Sequence, residues 1–496
     1  MKRSFLLKCF IVFALVLGFM LKAYYVSYTE VWERQHDVIG FDADEGQAAY
    51  IEYILENRAL PDFDPRQVWG FFQPPLHHIV SAACIYLSEL FGASWARARE
   101  NIQILTLMYM TLVMLLTYLI CKKAAIGDKG TLIATLIVSF HPIFILLSGS
   151  INNDALSLML SLLSVYLAAC WYEKPTIIRI ISLALAIGLS MMAKFTGGLI
   201  APAIGILILM KLKERFKDAG RERGAFIPVI KRYGLQILCF ALIVFPLGLW
   251  WPARNKIRWD MPVNYIPPVG EQLEKTDIFS RVFDIRTKSP FAYMISSGYG
   301  YDEYNTFLAL VKTSLFGEYD YGQYSHKIIW LSWALLITSV FLIIIAFIAT
   351  FYVCFSKGFG MKVEWRVLLG ICYLTYLVSY LSFSLGYSNF SAQDFRYGAI
   401  CIVMEAVFLG AFYDKISGGK ESPLRKYTGK AIAILTALFA VLSERPDLVS
   451  FIISVLQTDY LDVIFHGIVY LNMAHISHML VEKGFSEGRF VGDHSV

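Results

Sequence analysis

Apolar runs of roughly 20 residues, separated by short polar stretches, recur along almost the whole chain, and a run of that length wound as a helix matches the hydrocarbon thickness of a bilayer. They predict spans near 5–25, 101–120, 131–148, 154–171, 178–193, 196–210, 234–252, 328–355, 367–386 and 397–413. Two further apolar stretches follow. Positions 430–442 stop short at Glu444-Arg445-Pro446-Asp447, and positions 461–481 carry His466, His475 and His478. The strict alternation of a membrane β-barrel is absent. The pattern predicts an all-α polytopic membrane protein with about 11–13 transmembrane helices.

The segment from Pro74 to Leu90 sets the register of everything after it. It is long enough to cross, but counting it as a span would put Lys122, Lys123 and Lys129 outside, against the positive-inside rule. His77, His78, Ser81, Ser88 and Glu89 recur along it, as suits a helix lying in the interface. With a juxtamembrane helix there, more than half of the Lys and Arg fall in short cytoplasmic loops. Two large segments, 26–100 and 253–326, then face outward, as do short turns at 149–153 and 387–396.

Composition narrows the classes. With 57% hydrophobic and 17% charged residues over 496 positions, the chain is neither a soluble multidomain protein nor a disordered one. A net charge of +5, dispersed over loops, argues against a nucleic-acid partner. The eight cysteines lie in or beside apolar runs without metal-ligand spacing and read as small core hydrophobes. Lys2, Arg3 and Lys8 precede an apolar run that lacks an AxA-like cleavage site, so it reads as a retained first span.

Candidate chemistry concentrates on the outer side. In the first loop Asp42, Asp44 and Glu45 open an amphipathic helix. Asp42 and Glu45 have the spacing of a capping box, which leaves Asp44 available as a general base. The prolines of Gln73-Pro74-Pro75 fix the chain before His77-His78, whose adjacent side chains diverge by about 100° on a helix and so make poor joint metal ligands. Asn152-Asn153-Asp154 exceeds what an N-cap needs, and Asp154 is a candidate ligand for Mg²⁺ or Mn²⁺. Lys194 and Arg396 each begin an apolar segment, where they either snorkel to the headgroups or converge on a lipid phosphate. The tyrosines Tyr293, Tyr299, Tyr301, Tyr304, Tyr319, Tyr321 and Tyr324 read as an aromatic belt or as sugar-stacking rings. Glu405, inside a predicted span, is an ionisable group with either a structural partner or a functional role.

Taken in order, Asp44-Glu45, Pro74-Pro75-Leu76, Asn153-Asp154-Ala155-Leu156, Lys194-Phe195-Thr196-Gly197, Trp251-Pro252-Ala253-Arg254-Asn255, Ser314-Leu315-Phe316-Gly317-Glu318 and Arg396-Tyr397 resemble the GT-C membrane glycosyltransferases. The likeness is to bacterial family-39-like proteins, similar to protein O-mannosyltransferases and the aminoarabinose transferases of lipid A, and it covers about 1–413, leaving 414–496 as a C-terminal membrane region. It implies a GT-C fold with juxtamembrane helices on two large extracytoplasmic loops, in a bacterial cytoplasmic membrane with the site facing the periplasm. It further implies inverting transfer of one sugar from a polyprenyl-phosphate carrier to a lipid, glycan or protein acceptor. Asp44, Asp42 or Glu45 would be catalytic, while Lys194, Arg396, Tyr397 and Arg254 would hold the carrier phosphate. Gln73, His77, Asn153 and Asp154 would line the substrate site, although relatives often carry a charged residue where this chain has Gln73. Competing classes are a transporter or flippase of lipid-linked sugars, an oligosaccharide ligase or polymerase, and a scaffold without catalysis. A transporter would be expected to show internal repeats, and none is visible.

Overall fold

A computed structural model describes residues 2–28, 30–31, 41–219, 226–267, 277–292, 303–317, 326–387, 390–418 and 423–443. Among them the chain is helical: α1 (Lys2–Tyr28), α2 (Gly46–Asn57), α3 (Leu76–Leu90), α4 (Trp95–Glu100), α5 (Ile102–Lys123), α6 (Asp128–Phe140), α7 (Pro142–Leu146), α8 (Asn153–Glu173), α9 (Ile177–Ala193), α10 (Ala201–Asp218), α11 (Phe226–Trp259), α12 (Ile278–Phe283), α13 (Thr306–Phe316), α14 (His326–Phe355), α15 (Val363–Gly386), α16 (Ala399–Gly418) and α17 (Pro423–Leu442). Eight described helices are long and apolar enough to cross a membrane, and the α6–α7 pair makes a ninth if it is one bent span. The apolar α9 is shorter at 17 residues, yet its two flanks lie at opposite ends of the bundle. The predicted stretch 461–481 lies outside the described residues.

Ion pairs mark the two ends. At one, Lys123 at the end of α5 meets Glu173 at the end of α8 at 2.5 Å, Lys362 approaches Glu173 at 3.6 Å, and Lys122 pairs with Asp128. At the other, Asp154 opens α8 beside Lys194, which follows α9. Lys122 and Asn153 therefore sit at opposite ends, as the juxtamembrane reading of Pro74–Leu90 requires. The helix α3 is short of a span and turns His77, His78, Ser81, Ala82 and Ile85 inward, leaving Tyr86, Leu87 and Leu90 exposed. Polar inside and apolar outside is the arrangement a lipid-facing helix needs.

Two features escaped the hydropathy pattern. The predicted span 131–148 is bent by 53° between Phe140 and Pro142, where the proline ring disfavours helical geometry at His141, whose backbone is extended (φ −65°, ψ 125°). The helix α11 runs 34 residues despite Pro246 and Pro252, well beyond the 234–252 that its apolar core predicts. The cysteines are free; Cys121, Cys372 and Cys401 are buried, whereas Cys9 is exposed on α1 and so is not a core residue.

The packing of α6 on α16 depends on two small residues, because a Cβ on Gly130 or on Gly410 would collide with the other's backbone carbonyl. Gly130→Ala should therefore force the helices apart. A loss of about 1–3 kcal/mol, read as a lower Tm in detergent, is the expected outcome. An unchanged Tm would mean that the pair tolerates a wider spacing.

Candidate active site

A cavity of about 850 Å³ opens at the Asp154 end of the bundle. Its charged wall carries Glu45, Asp154, Lys194 and Arg396, and its apolar wall includes Leu158, Leu199, Phe383 and Ile400.

Backbone geometry puts Glu45 there. Gly46 (φ +103°) donates its N–H to the Trp69 carbonyl at 2.9 Å, and a Cβ on Gly70 (φ +92°) would lie 2.9 Å from the Gly46 carbonyl carbon. Only glycine suits both positions, since each needs a left-handed backbone and the two strands of the loop touch. The following helix, α2, is then held by Tyr50, whose ring stacks on Phe71 (4.6 Å) and His78 (4.2 Å). His78 Nε2 lies 2.6 Å from Gln47 Oε1, so the ring donates from Nε2 and orients Gln47 on the cavity wall. The indole N–H of the buried Trp251 donates to the Phe72 carbonyl at 3.0 Å and ties this loop to α11.

The predicted capping box does not form. Glu45 itself is the residue before α2 and makes no side-chain cap, while Asp42, with φ +68°, pairs with Arg99 at 2.6 Å. Arg99 also grips Glu52 at 2.6 Å and lies over the Phe41 and Trp95 rings. A guanidinium with two carboxylate partners outweighs a helix-end amide as a partner for Asp42. Its hydrogen bonds hold the Asp42 carboxyl below the usual range, and burial pushes Glu52 up. Asp44 is exposed and does not border the cavity, and neither does Asp42. Of the three carboxylates, Glu45 alone does.

At the start of α8, Asn152 caps the helix by accepting from the Asp154 N–H at 2.8 Å, which frees its two neighbours. Asn153 donates to the Ala193 carbonyl (3.0 Å) and to Gln73 (3.3 Å), so it positions Gln73 on the wall and is itself turned away from the cavity. Asp154 Oδ1 takes the Lys194 ammonium at 2.5 Å, and Oδ2 lies 3.9 Å from Arg396. Lys194 also sits 4.9 Å from the Tyr397 ring centroid, a cation–π distance. It can reach this point because α9 breaks there: Gly197 packs so closely on Ser190 that a side chain would clash, and its N–H caps the Lys194 carbonyl at 2.8 Å. Arg396 is oriented by Asp394, which accepts from its Nε at 2.7 Å. Both cations thus converge on Asp154.

Several expectations fall elsewhere. Arg254 does not border the cavity; it lies 5.0 Å from the Trp251 ring, donates to the Pro61 carbonyl and approaches Asp62 at 3.8 Å, bracing the segment before α3 against α11. His77 is buried against the Ile151 carbonyl and does not line the cavity. No group of three His, Cys, Asp or Glu among the described residues is placed to hold a metal, and Asp154 faces cations, so its surroundings do not fit Mg²⁺ or Mn²⁺. Of the seven tyrosines, Tyr304 is buried with its carbonyl bonded to Arg281; the other six, and Glu318, lie outside the described residues. Glu405 lies away from the site, accepting from the Tyr373 hydroxyl at 2.6 Å. Gln47, Tyr265 and Tyr387 at the cavity carried no distinct signal in the sequence, and Asp394, which holds Arg396 from behind the lining, showed only its cap spacing to Arg396.

Burial pushes the His77 imidazole down to about 4, so it is neutral at pH 7. Between pH 6.5 and 4 the unfolded chain binds the proton and the folded one does not, so folding stability falls as pH drops through that window, by up to about 3 kcal/mol. His77→Gln should flatten this part of a Tm-against-pH curve. An unaltered curve would place the titration on other groups.

Residues 76–230, from the start of α3 into α11, match the family model described as dolichyl-phosphate-mannose-protein mannosyltransferase. The chain is thus a multi-pass helical membrane protein that resembles the GT-C membrane glycosyltransferases. No curated protein is significantly similar to it. Solved structures with a related arrangement include ArnT from Cupriavidus metallidurans bound to undecaprenyl phosphate, with 14% identity, a TM-score of 0.48, and coverage of 88% of this chain and 64% of that one. Another is the archaeal oligosaccharyltransferase AglB from Archaeoglobus fulgidus, in complex with an inhibitory peptide and a dolichol-phosphate, with 13% identity, a TM-score of 0.46, and coverage of 88% and 55%. The chain spans less than two thirds of the length of either.

Proposed function

We propose that the chain is an inverting glycosyltransferase that moves one sugar from a polyprenyl-phosphate carrier to an acceptor at the extracytoplasmic face of a bacterial cytoplasmic membrane. The observation that carries this reading is the cavity itself, whose lining combines a carboxylate and two converging cations with an apolar surface. A lipid-borne phosphate sugar needs both kinds of surface. Polar groups gathered at one end of the bundle also suit surface chemistry better than a transport path through the midplane.

In this mechanism an acceptor hydroxyl attacks the anomeric carbon from the face opposite the phosphate. The carbon–oxygen bond to the phosphate breaks as the new glycosidic bond forms, which inverts the centre. Glu45 takes the hydroxyl proton, acting as general base. The departing phosphate gains a negative charge as the diester becomes a monoester, and Lys194 and Arg396 stabilise it. Arg396 offers a planar fork and Lys194 a point charge.

The test is single-turnover transfer by the purified protein from synthetic polyprenyl-phosphate sugars, with products identified by mass. Transfer of one sugar is expected; transfer of whole oligosaccharides would favour a ligase, and lipid movement without bond exchange a flippase. Orientation has its own check. A cysteine at the exposed position 44 should label from outside in intact cells, whereas one at 122 should label only after the membrane is permeabilised. External labelling at 122 in intact cells would reverse the assignment of faces.

A further inference from the structure

We propose that Asp154 sets the charge selectivity of the cavity, disfavouring the doubly charged phosphate monoester product relative to the singly charged diester donor, so that the spent carrier leaves. This rests on the reading of the cavity as a polyprenyl-phosphate sugar site.

Charge is balanced around the two cations. Lys194 pairs with Asp154, and Arg396 lies between Asp154 and Asp394, so these two cations meet two carboxylate partners, Asp154 on the cavity lining and Asp394 behind it, with each of the four side chains 13% exposed or less. A site built only to capture an anion would leave its cations in excess. Here Asp394 is turned to Arg396 as an N-cap and an ion-pair partner, so it has a local role in shaping the backbone. Asp154 has no such role. Asn152 already caps α8, and the Asp154 carboxylate reaches instead between the two cations, with Oδ1 on Lys194 and Oδ2 accepting no hydrogen bond. It stands where an arriving phosphate oxygen would find both.

Exclusion is not the consequence, because an ammonium has three donors and Asp154 takes one. A phosphate therefore shares Lys194 with the carboxylate, and the two oxyanions repel each other at short range in a poorly hydrated site. That repulsion scales with the phosphate charge. The donor diester carries one negative charge, and the monoester formed when the sugar leaves carries close to two at neutral pH. The same cations that stabilise the charge as it develops would otherwise hold the product most tightly, and Asp154 offsets that. In this account Asp154 is a positioning residue for Lys194 and a selectivity residue for the phosphate, and it takes no part in proton transfer.

Binding of a short isoprenyl phosphate monoester and of its methyl diester to the detergent-purified protein tests this, using wild type, Asp154→Asn and Asp154→Glu. Wild type is expected to bind the monoester no more tightly than the diester, despite the greater charge. Asp154→Asn should tighten monoester binding by about tenfold or more and diester binding by much less, with kcat falling as release slows, and Asp154→Glu should keep the wild-type preference. A folded Asp154→Asn that binds both ligands more weakly would show a merely structural ion pair and overturn the proposal. So would wild type binding the monoester tenfold more tightly than the diester, a comparison that stands even if no variant folds. If wild type binds neither ligand, the reading of the cavity fails, which separates that failure from this one.

Discussion

Glu45→Gln should lower kcat for sugar transfer by roughly 10² to 10⁴ while leaving thermal unfolding unchanged, because it keeps the shape and hydrogen-bonding capacity of the side chain and removes its basicity. Glu45 makes no cap contact at the start of α2, so little stability is at stake. The neighbouring carboxylates should respond differently. Asp44 is exposed and outside the cavity wall, so Asp44→Asn should retain most activity. Asp42→Asn weakens one of two carboxylate contacts to Arg99, leaves Glu52 in place, and should show as a small loss of thermal stability with kcat nearly retained. Purified variants assayed with saturating donor and acceptor, beside detergent melts, distinguish the three. Full activity in Glu45→Gln with collapse in Asp44→Asn would move the base one residue back and require the loop to turn on binding.

The second large effect concerns the carrier. Lys194→Ala and Arg396→Ala should each lower kcat/KM for the polyprenyl-phosphate donor by about 10- to 100-fold, the equivalent of about 1.5–3 kcal/mol for a charge-assisted hydrogen bond. Part of the loss arises indirectly, since removing Lys194 leaves the nearly buried Asp154 with only the more distant Arg396. Arg396→Lys should recover only a fraction, because it restores the charge but neither the planar fork nor the Nε contact to Asp394. Kinetics in which neither alanine variant changes kcat or KM would return both residues to cations that merely reach for the headgroups.

The two sides of the site differed in how far they could be read in advance. Lys194 and Arg396 stood out because an ionised group at the edge of an apolar run is costly unless it has a task, and the cost is visible without coordinates. The surplus in Asn152-Asn153-Asp154 was equally visible: one capping residue is enough, and the structure assigns that work to Asn152. The first-loop capping box fails to form for a complementary reason. Asp42 and Glu45 have the spacing of a capping box, but spacing cannot register Arg99, 57 positions along the chain, which takes Asp42 for itself. Arg254 was misplaced likewise, since nothing local announces Pro61 and Asp62 as its neighbours.

Membrane residence, the helical class, the approximate spans and the alternation of faces follow from sequence, because hydrocarbon thickness sets the length of each apolar run and the distribution of Lys and Arg orients it. Those are properties of consecutive residues. The 53° bend at His141-Pro142, the Gly130–Gly410 contact, the choice of Glu45 over Asp42 and Asp44 at the cavity wall, and the placement of Asp154 between two cations belong to the tertiary structure. Each depends on which groups from distant helices compete for the same partner, and in a poorly hydrated interior that competition is settled by distance and charge, which the order of residues does not contain.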